Sequence, residues 1–190
     1  MTSQIPNEKR RLCADAALKC HGTAYIFERR ASSIRRRIKL LSFLGIAVPA
    51  SVGAIIGAYS FDAEILRLIL GVAAAIATIQ LLLTIWSIVS GWNQSLAYYL
   101  ESKSVNYRLS GQYERLSTST TLSANDFDLE YRVLEREGDI RANLDNQHDI
   151  SDKEKRMGMR YGLRRFQRPC AGCNLVPTTM KATNCGICGK

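Results

Sequence analysis

The chain has 190 residues, 46% of them hydrophobic, with 26 Lys/Arg against 17 Asp/Glu for a net charge of +9. One soluble domain would fit that length, but the apolar residues gather in two uncharged blocks instead of spreading over amphipathic elements, which argues against a single water-soluble core. Two histidines, no glycine-rich phosphate loop, no paired acids in an apolar setting and no Ser/His/Asp arrangement leave no catalytic residues to name, and no enzyme is expected.

Residues 1–39 are polar and basic, with ten Lys/Arg against three acids. They do not resemble the short leader of a secretory signal, so no cleavage is expected. Within and just beyond them, small or apolar residues recur at Cys13, Ala17, Cys20, Ala24, Phe27, Ala31, Ile34, Ile38 and Leu41. Alternating spacings of four and three predict a long helix packed along a partner helix. In that seam Cys13 and Cys20 are packing residues, His21 has no assigned role, and Gly22 is the weak point of the helix.

The first apolar block is Leu40–Tyr59 and the second Leu68–Val89, and neither contains a charge. At 1.5 Å per residue each makes roughly 30 Å of helix, enough to cross a hydrocarbon core. The connector Ser60–Arg67 carries Asp62, Glu64 and Arg67. Because cations resist translocation, the basic N-terminal segment places both termini in the cytoplasm, giving a multi-pass inner-membrane hairpin. In the first span Gly45, Pro49, Gly53 and Gly57 repeat every fourth residue, a groove for close helix packing. In the second, Gln80, Thr84, Ser87 and Gly91 share one polar face, which either bonds across to the first span or lines a path through a ring of copies. Only the second of these would require a homo-oligomer in the bilayer.

Residues 92–145 are expected to continue as helix, with Trp92, Tyr98 and Tyr99 at the membrane interface and Leu96, Leu100, Tyr107, Tyr113 and Leu116 as an apolar stripe. The run STSTTLS breaks it. Ser123, three residues before Asp126, then starts an acidic helix that uses Phe127, Tyr131, Leu134 and Leu144. Residues 146–168 follow as a basic linker. Arg156, Arg160 and Arg164 fall at helical spacing, and with Arg165 and Arg168 they are candidates to contact nucleic acid, phosphate or a partner protein.

Residues 169–190 hold two Cys-x-x-Cys pairs, Cys170/Cys173 and Cys185/Cys188, separated by eleven residues. In a reducing compartment four thiolates at this spacing predict a structural Zn²⁺ site in a small zinc-ribbon-like module, with all four positions filled and none open for chemistry. The fold class is therefore an all-α membrane protein: a two-helix transmembrane hairpin (residues 40–91), long cytosolic helical extensions and a four-cysteine tail. The hairpin with long helices leading in and out resembles the SLATT domain family, and the cysteine signature looks like that of the mobilome CxxCx(11)CxxC proteins. The resemblance implies an oligomerising, membrane-disrupting or pore-forming effector in anti-phage conflict, borne on mobile elements, with a nucleotide-signalling partner protein for the basic region. The alternative from the residues is a membrane tether whose zinc module binds nucleic acid or a protein partner at the inner face.

Overall fold

The computed structural model describes residues 7–58 and 63–189. Among these residues the chain is all-helical: α1 (Asn7–Ala58), α2 (Ala63–Val89), α3 (Trp92–Thr118), α4 (Ala124–Asn146) and α5 (Asp152–Arg165). Tyr59 and the first part of the expected connector, residues 60–62, lie outside the described residues, whereas Glu64 and Arg67 already belong to α2. The chain divides into two compact units. One is built from the segments up to Arg29 and from Tyr99 on, the other from Arg30–Tyr98.

In the first unit the heptad seam of α1 is inward. Cys13, Ala17, Ala24 and Phe27 are buried, and Cys13 and Ala17 share a core with Leu109, Tyr113 and Leu116 of α3 and Phe127 and Leu134 of α4. Small seam residues let the backbones approach, and the Ser110 hydroxyl donates to the Ala17 carbonyl at 2.8 Å across that contact. Phe27, Phe127 and Leu109 are fully buried, each contributing about 1.5–3 kcal/mol of apolar transfer. Arg10 donates to the Ser117 carbonyl at 3.1 Å, satisfying an orphan acceptor in the last turn of α3.

Two expected stripes are corrected here. The buried side of α3 is Ser102, Asn106, Leu109, Ser110, Tyr113 and Leu116; Leu96, Leu100 and Tyr107 are only half-buried. Three of the true seam positions are polar, so counting apolar residues favoured the neighbouring face. Likewise α4 buries Phe127 and Leu134 but leaves Leu144 exposed, because Arg141 and Asp145 take the inward positions. They are not orphaned. Asp145 accepts from Ser102 Oγ at 2.7 Å, Asn106 Nδ2 at 2.7 Å and Arg141 Nη2 at 2.8 Å, and Arg141 also donates to Glu101 at 3.0 Å. Ser123 caps α4 as expected, accepting from the Asp126 N–H at 3.2 Å.

The segment expected to be a linker contains α5, started by a capping box in which Ser151 and Glu154 bond reciprocally. It lies on a second face of α1 formed by Leu18, Gly22 and Ile26. A Cβ on Gly22 would stand 2.6 Å from the Gly158 carbonyl oxygen, and one on Gly162 would stand 2.8 Å from that of Leu18. Gly22 is therefore the point where two helix backbones touch, not a weak point in α1, since only a residue without Cβ permits that approach.

In the second unit α1 carries Pro49 without interruption. The most apolar 18-residue stretches of α1 and α2 contain no buried residue. Gly45 sits beside α2: a Cβ there would be 2.7 Å from Gln80 Nε2, while Gly53 and Gly57 face open space. The helix expected to run on past the second span is broken. Gly91 has φ +62, the Gly91 N–H bonds to the Ile88 carbonyl at 3.0 Å, and α3 begins anew at Trp92, the usual use of a left-handed glycine after a helix end.

Candidate metal centre

Each Cys-x-x-Cys pair sits in a tight turn closed in the same way. The Asn174 N–H donates to the Cys170 carbonyl at 2.8 Å, and the Gly189 N–H donates to the Cys185 carbonyl at 2.8 Å. Asn174 takes φ 54, a left-handed conformation that asparagine tolerates. Gly189 is required by crowding, since a Cβ would lie 2.1 Å from the Cys185 carbonyl oxygen. The expected ribbon is not formed: residues 174–184 contain no strand among the described residues. The chain returns through irregular structure in which Pro177 is buried.

These turns bring four thiols to one point. All four sulfurs lie within 4.8 Å of one another, with Cys170 to Cys185 at 3.9 Å and Cys173 to Cys188 at 3.8 Å. A tetrahedron with metal–sulfur bonds of about 2.3 Å has sulfurs about 3.8 Å apart, so the thiols fit a tetrahedral ion. No disulfide joins them. Backbone N–H groups of Cys188 and then Ile187 donate to Cys185 and hold its thiol down at about 6, whereas burial, followed by the neighbouring sulfurs, pushes Cys188 up to about 12. The donor set can hold a metal ion, and Cys170 and Cys188 are buried while Cys173 and Cys185 are half-exposed.

The centre is fixed to the helices beneath it. Cys170 and Cys188 pack with Leu18 of α1 and Leu163 of α5. Arg160 is buried, and donates to the Thr179 carbonyl at 2.7 Å, Thr183 Oγ1 at 3.3 Å and the Cys188 carbonyl at 3.3 Å. Its guanidinium therefore staples both the spacer and the second turn. Arg168 bonds Asp15 of α1 at 2.5 Å. The Nε of Arg156 is buried without a hydrogen-bond partner. Of the five arginines named from the sequence, only Arg164 and Arg165 are exposed, flanking Tyr161 and Gln167 around a shallow recess of about 380 Å³. The structure thus splits the expected basic stripe into internal braces and a short outward pair.

In the second unit, Gln80 reaches Gly45, Thr84 returns its hydroxyl to the Gln80 carbonyl at 2.8 Å, and Ser87 is half-buried. The pair Gly45 and Gln80 is brought together; Gly53 and Gly57 meet nothing within 4 Å, and Pro49 is exposed. Sequence reasoning missed the internal bracing role of Arg160, the Arg141–Asp145 network and the surroundings of His21. That ring stacks on Tyr161 at 5.2 Å and meets Tyr107 and Phe166 edge-on at 5.1 and 5.6 Å. A signal for α5 was present: Ser-x-x-Glu at Ser151, then Gly158-x-x-x-Gly162.

A family model described as mobilome CxxCx(11)CxxC protein matches residues 10–190. No curated protein and no solved structure gives a significant match.

Proposed function

The chain belongs to the mobilome CxxCx(11)CxxC protein family, and from that we propose that it is a self-associating membrane effector of a mobile-element conflict system, without catalysis of its own. The observation that carries this reading is the bareness of the second unit. Large aliphatic and aromatic residues from Leu40 to Val89, including Phe43, Ile46, Leu68, Leu81, Leu82 and Trp86, stand more than half exposed. A patch of that extent costs too much in water and matches lipid instead. The resemblance to SLATT hairpins supports the same role.

On this proposal the resting hairpin is held by Gln80 against Gly45. Assembly then releases the Gln80, Thr84 and Ser87 face to line a leak. Both termini lie in the cytoplasm, and the basic segment before the first span supports that orientation. The four-cysteine centre takes zinc as a structural ion, shaping the surface on which Arg164 and Arg165 are presented to an activating partner.

Expression in cells carrying a membrane-potential dye tests the effector reading: depolarisation is expected, and it should weaken in the combined variant Gln80→Leu, Thr84→Val. A toxic leak undiminished in that variant rejects the polar face as its path. Elemental analysis of the purified chain should return one zinc per chain; iron, or oxidised cysteines without metal, would reject zinc. The exposed Arg164 and Arg165 favour one second reading, a tether that binds nucleic acid. It predicts salt-sensitive binding of RNA or DNA by the full chain, lost in Arg164→Ala, Arg165→Ala.

A further inference from the structure

Helix α4 is apolar on two sides. Its inner side carries Phe127 and Leu134 into the core. Its outer side carries Leu129, Val133, Ile140 and Leu144, which are 65%, 60%, 57% and 41% exposed. At 3.6 residues per turn these four fall within an arc of roughly 60°. Leu129 to Ile140 and Val133 to Leu144 are both steps of 11 residues, a repeat that keeps the stripe in line along a nearly straight helix. Beside it a recess of about 590 Å³ lies among Leu116, Leu122, Leu129 and Val133, wide enough to receive a side chain from outside.

The charges beside the stripe identify its occupant. Arg132 and Arg136 border it on one side, and Glu130 and Glu137 border it on the other. When two parallel helices meet along such a stripe, opposite borders face each other, so the arginines of one helix meet the glutamates of the next; antiparallel helices would set like charges together. Glu137 already accepts from Arg108 and keeps an exposed edge for a second donor. Lipid is a poor alternative, because α4 carries seven acids against three arginines, whereas surface-lying helices put Lys and Arg on the polar face.

We propose that the outer face of α4 is a self-association surface on which a second copy of this chain docks through its own α4, the two helices running parallel. This deepens the self-association in the proposed function and is independent of the leak. The test uses the full chain in detergent, with Val133→Cys or Ile140→Cys added and the unaltered chain as baseline. Each variant is expected to cross-link to its own kind through a short bismaleimide, with the new cysteine found in the linked peptide. A 1:1 mixture should give no link between position 133 and position 140. Arg132→Glu with Arg136→Glu should lower the Val133→Cys yield at least tenfold, and adding a chain with Glu130→Lys and Glu137→Lys should restore it. A 133-to-140 link, failure of that restoration, or a folded protein that never links would overturn the proposal. So would a label at position 133 that is shielded by anionic vesicles alone. Cross-linking without depolarisation would sink the leak and leave this surface standing, whereas depolarisation by a folded chain that forms no link at position 133 or 140 would do the reverse.

Discussion

In the first unit the inward positions of α1 are closed over by α3, α4 and α5 and finished by an arginine staple and four converging thiols; in the second, α1 and α2 leave their bulkiest residues bare. Both units are helical, so secondary structure does not distinguish them. What differs is where polar groups go. The first unit spends them inside, as in Asp145 with its Ser102, Asn106 and Arg141 donors. The second has few to place and puts Gln80 against Gly45. A unit with a closed core uses internal polar partners to fix its register, while a helix pair in lipid, as proposed for the second unit, would need only small residues and an occasional amide.

The comparison can be broken most severely at the four-cysteine centre. Metal binding by such sites is worth about 10–16 kcal/mol in small peptides. Cys170→Ser or chelation should therefore open residues 166–189 to protease and free α5, while leaving detergent extraction of the chain unchanged. Limited proteolysis with mass mapping checks this, and intact α5 after metal removal would contradict the coupling through Arg160. Next in size is Asp145→Ala. Taking the buried carboxylate from Arg141, and leaving it the exposed Glu101, should cost up to about 3–5 kcal/mol, read from denaturant midpoints of the full chain in detergent.

A paired substitution sharpens the contrast between units. Gly22→Val drives a side chain into the Gly158 carbonyl and should lose about 1–3 kcal/mol or more, whereas Gly53→Val meets open space within the chain and should leave its fold stability nearly unchanged. Equal losses at both positions would mean that the first-unit helices are less tightly opposed than described. The smallest effect is on pH dependence. Burial, then Arg165, holds His21 below its ordinary 6.5, against the weaker opposing pull of Glu114 and Glu28. In the unfolded chain it titrates near 6.5, so below that pH the unfolded state takes up a proton that the folded state refuses. Stability should thus fall as pH drops through that value, by less than about 1.4 kcal/mol per pH unit, until the folded histidine is itself protonated. His21→Phe, which keeps the aromatic packing, should flatten that slope.

Much of this was legible in the chain. The heptad seam, the two uncharged blocks, the Ser123 cap and the four cysteines each carry a periodicity or spacing that physics reads directly. The lapses have separate physical causes. Ser102, Asn106, Arg141 and Asp145 are polar residues on buried positions, and apolar periodicity is blind to them. Arg160 looked like one of a surface series because helical spacing says which residues share a face, not whether that face is turned to water. Gly22 and Gly158 are legible only as a pair, and nothing local to either announces a partner more than a hundred positions away. The Ser151–Glu154 box was readable but sat in a segment whose charge suggested a linker.

That last separation has a consequence for synthesis. Leu18 and Gly22 are covered by Gly162 and Gly158, and Asp15 by Arg168, 153 residues along the chain. At about 5–20 residues per second, the first helix leaves the ribosome on the order of ten seconds before its cover exists. During that interval its glycine notch is uncovered, and the unit closes only after the apolar pair of helices has been made. The order of manufacture thus completes the apolar hairpin first, and the first unit is sealed afterwards by its late-arriving tail.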